Sequence, residues 1–358
     1  MSTLADRLAQ RTLELVDIAS ESLHEEAVRA HVRALVPATM TPTFVGEDAA
    51  LWLPRRRPGV PLVILAGHYD TVPAQGNFPG RIDGDAVHGL GAADMKGGVA
   101  VALELVRDIA SGTLPAALDI GLVLFGKEEL PPSFNPLPEL FEHAPVAHEA
   151  ELAILLEPTS GAIHAGCVGT LTAQIVFHGV SGHAARPWQA ENALERAVEG
   201  LARIAAFERR EAEVGGLPFF ETVTLTRLDA GIADNIVPDR AVATVNLRYP
   251  PDRSPTDAVA LLASLVPETA TIDVTGNSPP ASVVSDTPAV HALLAAGATG
   301  IEPKQAWTNV ADFTTRGIDA VNFGPGEPAY AHRVDELVRI PALVHAYETL
   351  ARFAEAGR

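Results

Sequence analysis

Three short apolar runs constrain this chain more than anything else in it: PLVILAG (61–67), LDIGLVLFG (118–126) and ELAILLE (151–157). Each is continuous rather than alternating and rich in branched residues. That is the pattern of strands buried on both faces of a largely parallel sheet. Between the first two lies MKGGVAVALELVRDIASG, a helix that stops at Gly112. Strand, helix and strand in that order form a βαβ unit and predict an α/β fold. At 358 residues, with 47% apolar and 5% aromatic content, the chain fits a globular protein of two domains.

The middle of the sequence has a different texture. TLTAQIVFHG (170–179) reads as a partly polar strand, and ENALERAVEGLARIAAFERREAE (191–213) as a helix with Leu194, Val198, Leu201 and Ala205 on one stripe. TVTLTRL and AVATVNLRY come next as strands, the second strictly alternating. TDAVALLASLV is a further helix and TIDV a last strand. The order β-α-β-β-α-β is that of a ferredoxin-like unit. The expected organisation is therefore an α/β domain of residues 1–169 and 284–358, with a mostly parallel sheet, interrupted by an inserted α+β domain of residues 170–283. LPPSFNPLPELFEHAP (130–145) is proline-rich and predicted to be an irregular loop.

Composition removes several classes of function. A formal net charge of −19 opposes nucleic-acid binding. No apolar run approaches the ~18 residues of a membrane span. The N-terminal stretch reads as an amphipathic helix (Leu4, Leu8, Leu15, Ile18), not a signal peptide. The single cysteine, Cys167, allows no intrachain disulfide and reads as a small buried residue. The expected location is the cytoplasm.

The residues at the far end of each apolar run carry the chemistry. The first run ends at His68 and Asp70, the second leads into Glu128 and Glu129, and the third ends at Glu157. Ligands of open α/β sheets bind beyond the carboxyl ends of the strands. Asp94, in GLGAADMKGG at the start of the next helix, and His332, in AYAHRVDE, join the same edge. Crowded carboxylates stay ionised together only with cations between them. Two histidines and three acids suit a pair of divalent metals, and zinc favours such nitrogen–oxygen sets. His68 is thus a candidate ligand and Asp70 the partner that fixes its tautomer. A histidine at a strand end or a Glu–Glu pair is ordinary when met singly; the joint placement is what points to metal. GLGAAD lacks both the Walker pattern and the directly preceding strand of a dinucleotide fingerprint.

GHYDTVP, GLGAADMKGG, GKEEL, LLEPT, SGHAARP and GPGEPAYAHRVDE occur in the order seen in the aminoacylase and carboxypeptidase group of dinuclear zinc hydrolases, which the chain resembles over nearly its whole length. HAGCVGTL, ADNIVPD, TVNLRYPPDRS and AWTNVADF look most like the group's actinobacterial succinyl-diaminopimelate desuccinylase branch. HYD stands where HLD or HTD is more usual, AADMKGG where SDMKGG or TDMKGG is, and WTNVADF lacks the glycine- and serine-rich loop of proteobacterial desuccinylases.

The resemblance implies that Asp94 bridges two zinc ions, with His68 and Glu157 on one and Glu129 and His332 on the other; cobalt would suit the same ligands. Glu157, rather than Asp, fits the desuccinylase side of the group. Glu128 would be the general base. His183 of the inserted domain would reach the partner subunit's site in a homodimer formed through that domain, and Asn235 would contact substrate across it. The implied reaction is hydrolysis of N-succinyl-LL-2,6-diaminopimelate to succinate and LL-diaminopimelate, in lysine and cell-wall precursor synthesis. The alternatives within the group are another N-acyl-amino-acid deacylase, such as an acetylornithine deacetylase, or a dipeptidase. A multi-carboxylate substrate on so acidic a chain calls for local cations, and Arg186 and Arg248 are the candidates, since guanidinium grips carboxylate in bidentate fashion.

Overall fold

The structure is a computed structural model and describes residues 3–357. It divides into two compact units: residues 1–166, 284–302 and 309–358 form the first, residues 167–283 and 303–308 the second.

The first unit is built on an eight-stranded sheet. Its centre is parallel: Asp119–Phe125, Leu62–His68, Ala150–Leu155 and Ala320–Asn322 lie side by side in that order. Antiparallel strands flank this centre, Ala49–Leu53 and Thr41–Val45 on one side and Ile163–Cys167 on the other. The apolar runs are continuous because both faces are covered. Val63 and Leu65 enter one core with helices Leu4–Val16, Gly97–Ser111, Pro288–Ala296 and Ile340–Ala356. The intervening Leu62, Ile64 and Ala66 are equally buried and point the other way. Helices Leu137–His143 and Val310–Thr314 meet through Phe141 and Phe313, edge to face at 5.0 Å. The first of these helices lies inside the stretch expected to be irregular. Its prolines sit before it and in its first turn, where a missing N–H costs nothing.

A small three-stranded sheet, Leu337–Arg339 against Ala86–His88 against Arg81–Asp83, stands apart from the large one. Its pairing of Leu337 with His88 aligns the loop before residue 337 with the loop after residue 88.

The second unit has the antiparallel order Arg210–Val214, Leu217–Ala230, Arg240–Tyr249, Gly169–His178, Thr271–Ser278. Without the first strand this is the ferredoxin-like arrangement. Leu171, Ala173, Ile175, Ala243, Val245 and Leu247 face helices Ala193–Gly200 and Pro255–Leu265. The expected helix over 191–213 is corrected here. It breaks after Gly200, a short turn ends at Ala205, and residues 210–214 are an edge strand. The buried stripe is Ala193, Ala197, Leu201 and Ile204, whereas Val198 is 63% exposed. The missed signal was Gly215–Gly216, both at positive φ, which closes a hairpin.

Candidate metal centre

The parallel register brings three strand ends to one edge. His68 pairs with Phe125, and Ala66 with Leu155, so the residues just past each strand emerge together. His68 is itself the last strand residue and is buried. Past Phe125 the chain turns at Lys127, which adopts the left-handed φ of 62°. Its ammonium is tied to Asp48 Oδ2 at 2.6 Å. Glu128 and Glu129 come next, and Glu157 lies just beyond the third strand.

Asp70 organises this edge. Its carboxylate accepts the backbone N–H groups of Glu128 and Glu129 at 3.1 and 3.2 Å and the Ser22 hydroxyl at 2.7 Å. His68 Nδ1 lies 3.1 Å from the Asp70 backbone oxygen and 3.4 Å from its carboxylate. A proton held at Nδ1 leaves the Nε2 lone pair facing the cleft. Complete burial pushes the Asp70 carboxyl up, yet the bonds from His68, Ser22 and Glu129 outweigh it and hold the pKa below the ordinary value.

Asp94 stands at the centre. It is extended (φ −124°, ψ 93°) and, together with the non-helical Met95, interrupts the helical turn. One of its oxygens, Oδ1, lies 3.3 Å from His68 Nε2; the other, Oδ2, lies 3.6 Å from His332 Nε2. Glu157 is 3.9 Å from the same His68 nitrogen, and Glu129 is 2.9 Å from His332 Nε2. Two groups of potential ligands result, His68–Asp94–Glu157 and Asp94–Glu129–His332, each with its ligand atoms within 4.8 Å of one another. They share Asp94. A further grouping, His68–Glu128–Glu129, places Glu128 at the same spot.

Charge shows what the arrangement needs. Desolvation pushes the Glu128 pKa well above its ordinary value; His68 opposes this, and Glu157, Glu129 and Asp94 reinforce it. The bond to Glu129 raises His332 to about 9. Burial first, and then the facing carboxylates of Glu157, Glu129 and Asp94, disfavour the charged form of Glu128. Divalent cations would remove that repulsion, and imidazole with carboxylate is a donor set that zinc accepts. The residues therefore fit a pair of metal ions.

Two participants carry no signal in the sequence alone. Glu336, in HRVDE, is buried and accepts backbone N–H groups from the Asp94 loop. Lys96 is buried, donates to the Ile18 carbonyl at 2.9 Å, and is pushed by burial to about 7. Both act through backbone from distant segments, which no local pattern reveals.

The remaining expected residues belong to the second unit. His183 lies in a two-residue ribbon opposite Ile236, and the Ala184 N–H donates to the Asn235 carbonyl at 3.0 Å, so His183 and Asn235 are neighbours. His183 and Arg186 are both exposed. Arg248 is half-buried on the sheet face away from the helices, its Nε donating to Asn246 at 2.8 Å. Burial lowers its pKa, and no described carboxylate pairs with it.

Comparison with known proteins adds an independent line. The sequence profile of peptidase family M20/M25/M40 matches residues 64–356. A putative succinyl-diaminopimelate desuccinylase of Mycobacterium tuberculosis is 36% identical, covering 96% of this chain and 96% of the relative. A succinyl-diaminopimelate desuccinylase of Corynebacterium glutamicum is 34% identical over 76% of this chain and 75% of its own. Among solved structures, aminopeptidase PepT of Bacillus cereus superposes with a TM-score of 0.78 over 98% of both chains at 19% identity, a likeness of fold.

Proposed function

The chain belongs to peptidase family M20/M25/M40 and is a hydrolase, and on that premise we propose that it removes the succinyl group from N-succinyl-LL-2,6-diaminopimelate by metal-dependent amide hydrolysis. The observation that carries the chemistry is Asp94, whose two oxygens are turned to two separate ligand groups. The substrate is inferred from the two desuccinylases that the chain resembles at 36% and 34% identity.

His68, Asp94 and Glu157 would hold one ion and Asp94, Glu129 and His332 the other, with zinc or cobalt as the metal. Two such cations, when bound, acidify water and polarise the scissile carbonyl. Glu128 takes a proton from the attacking water and delivers it to the departing amine. A carboxyl whose surroundings raise its pKa is suited to both halves of that transfer. Asp70 keeps the His68 ring in one tautomer and orients the backbone that carries both glutamates. Arg248 is a desolvated cation without a counter-charge among the described residues and is assigned to a substrate carboxylate; Arg186 is assigned a second.

In a homodimer through the second unit, His183 would donate to the developing oxyanion and Asn235 would bind substrate in the other subunit's site. A preorganised donor of this kind is often worth ~3–4 kcal/mol. The apolar side chains that the second unit leaves exposed, Trp188 at 77% and Ile232 at 88%, support such an interface. No helix among the described residues is long and apolar enough to cross a membrane, in keeping with a cytoplasmic enzyme and a small-molecule substrate.

The test is a turnover panel on chelator-stripped, zinc-restored protein: succinyl-diaminopimelate against acetylornithine and simple dipeptides. The expected result is zinc-dependent release of succinate with kcat/KM at least about tenfold above the others, a margin of ~1.4 kcal/mol in the transition state. Preference for acetylornithine or a dipeptide would replace the substrate while keeping the hydrolase.

A further inference from the structure

Asp94 can serve two ligand groups only if its backbone is fixed, and its turn bonds only some of its own N–H groups. Within residues 89–97 the turn is closed by backbone bonds from the Ala92 N–H to the Gly89 carbonyl, from the Lys96 N–H to the Gly91 carbonyl and from the Gly97 N–H to the Ala92 carbonyl. The N–H groups of Gly91, Ala93 and Asp94 point instead at one buried carboxylate, that of Glu336, which is 2% exposed. Gly91 donates to Oε2 at 3.0 Å, and Ala93 and Asp94 donate to Oε1 at 3.0 and 3.1 Å.

The carboxylate is itself held in place. Leu337 pairs with His88 at the start of the small sheet, and the Gly89 N–H donates to the Glu336 backbone carbonyl at 3.0 Å. His332 lies four residues earlier in the same loop, at a left-handed φ of 62°. Gln75 Nε2 donates to its carbonyl at 3.1 Å, and Asn77 Nδ2 donates to the Arg333 carbonyl at 3.0 Å. One short segment therefore supplies the side chain of His332 and anchors the backbone of Asp94. These are two of the three groups assigned to one cation.

We propose that Glu336 is a positioning residue: by binding the three N–H groups around Asp94 it sets the orientation in which the Asp94 carboxylate serves both ligand groups. It does not touch substrate or metal. The inference rests on the reading of the site as a pair of cation sites. Removing a partner of a ligand at one remove typically costs about 10–100-fold in metal affinity. Glutamine has the shape of glutamate, but in either orientation its NH2 group faces at least one of the three N–H donors.

The experiment is zinc titration of chelator-stripped, full-length wild type and E336Q against a chromophoric competitor, with melting curves of both metal-free proteins. The expected result is two zinc ions per wild-type chain, and in E336Q a melting temperature near that of wild type with zinc bound about 10–100-fold more weakly. In zinc-saturated E336Q, kcat falls while KM holds. Equal zinc affinity and equal kcat in the two proteins would overturn the inference and leave the site reading intact. A metal-free E336Q that melts far below wild type, with zinc affinity unchanged in the folded fraction, would make Glu336 structural and overturn it as well. Wild type that holds no zinc would overturn the reading of the site, and the inference with it.

Discussion

Glu128 and Glu129 are adjacent in sequence, yet their side chains meet different partners. The Asp70 carboxylate accepts both of their backbone N–H groups, which pins the turn. Glu129 then reaches His332, whereas Glu128 faces His68 and Glu157. Because Glu128 also falls within a possible ligand group, E128Q separates ligand from base. E128Q is expected to bind two zinc ions with kcat reduced about 10²–10⁴-fold. Loss of one ion, read by metal analysis after gel filtration, would make Glu128 a ligand instead. At this scale the sequence was most informative, since His68, Asp94, Glu128, Glu129, Glu157 and His332 emerge close together. Ser22, Lys96 and Glu336 were illegible because their roles are bonds to backbone or to a second carboxylate from far along the chain.

Among elements, the helix Gly97–Ser111 packs tightly beside the centre. A Cβ added at Gly98 would lie 2.2 Å from the Leu156 carbonyl oxygen, next to Glu157. G98A must therefore push the helix off the strand end. A thermal melt should show about 1–3 kcal/mol of lost stability, accompanied by weaker zinc binding. The helix Leu4–Val16 docks differently, through Arg7, whose Nη1 and Nη2 donate to the Asp108 carboxylate, the second at 2.6 Å. The Tyr347 hydroxyl donates to the same carboxylate. Burial raises the Asp108 pKa, but these donors outweigh it and depress it below its ordinary 3.8. A depressed carboxyl contributes stability that is fully present above its unfolded-state pKa and is lost as pH falls through the folded value. D108N should cost about 1–3 kcal/mol near neutral pH. It should also flatten the acid limb of stability against pH below about 4, where wild type loses this contribution. A D108N curve parallel to wild type down to low pH would contradict the linkage. The long apolar runs were readable as strands because their pattern depends on burial alone. The strand Arg210–Val214 was not, because a charged segment is held there by a glycine turn and by Arg210 paired with Glu221 and Asp252.

For the whole molecule, a net charge of −19 adds to the negative field of a centre already crowded with carboxylates, which favours bound cations there. The parallel strands were legible from composition and run length. The flanking antiparallel strands and the small sheet that aligns Glu336 with Asp94 were not, because their pairing is set by segments far apart in sequence. The central claim is that one carboxylate, Asp94, joins two cation sites. The most direct measurement is anomalous diffraction at the zinc edge from crystals grown with zinc. The account predicts two peaks, one about 2.0–2.2 Å from His68, Glu157 and an Asp94 oxygen, the other equally close to Glu129, His332 and the second Asp94 oxygen. A single peak, or peaks that leave Asp94 unligated, would contradict it.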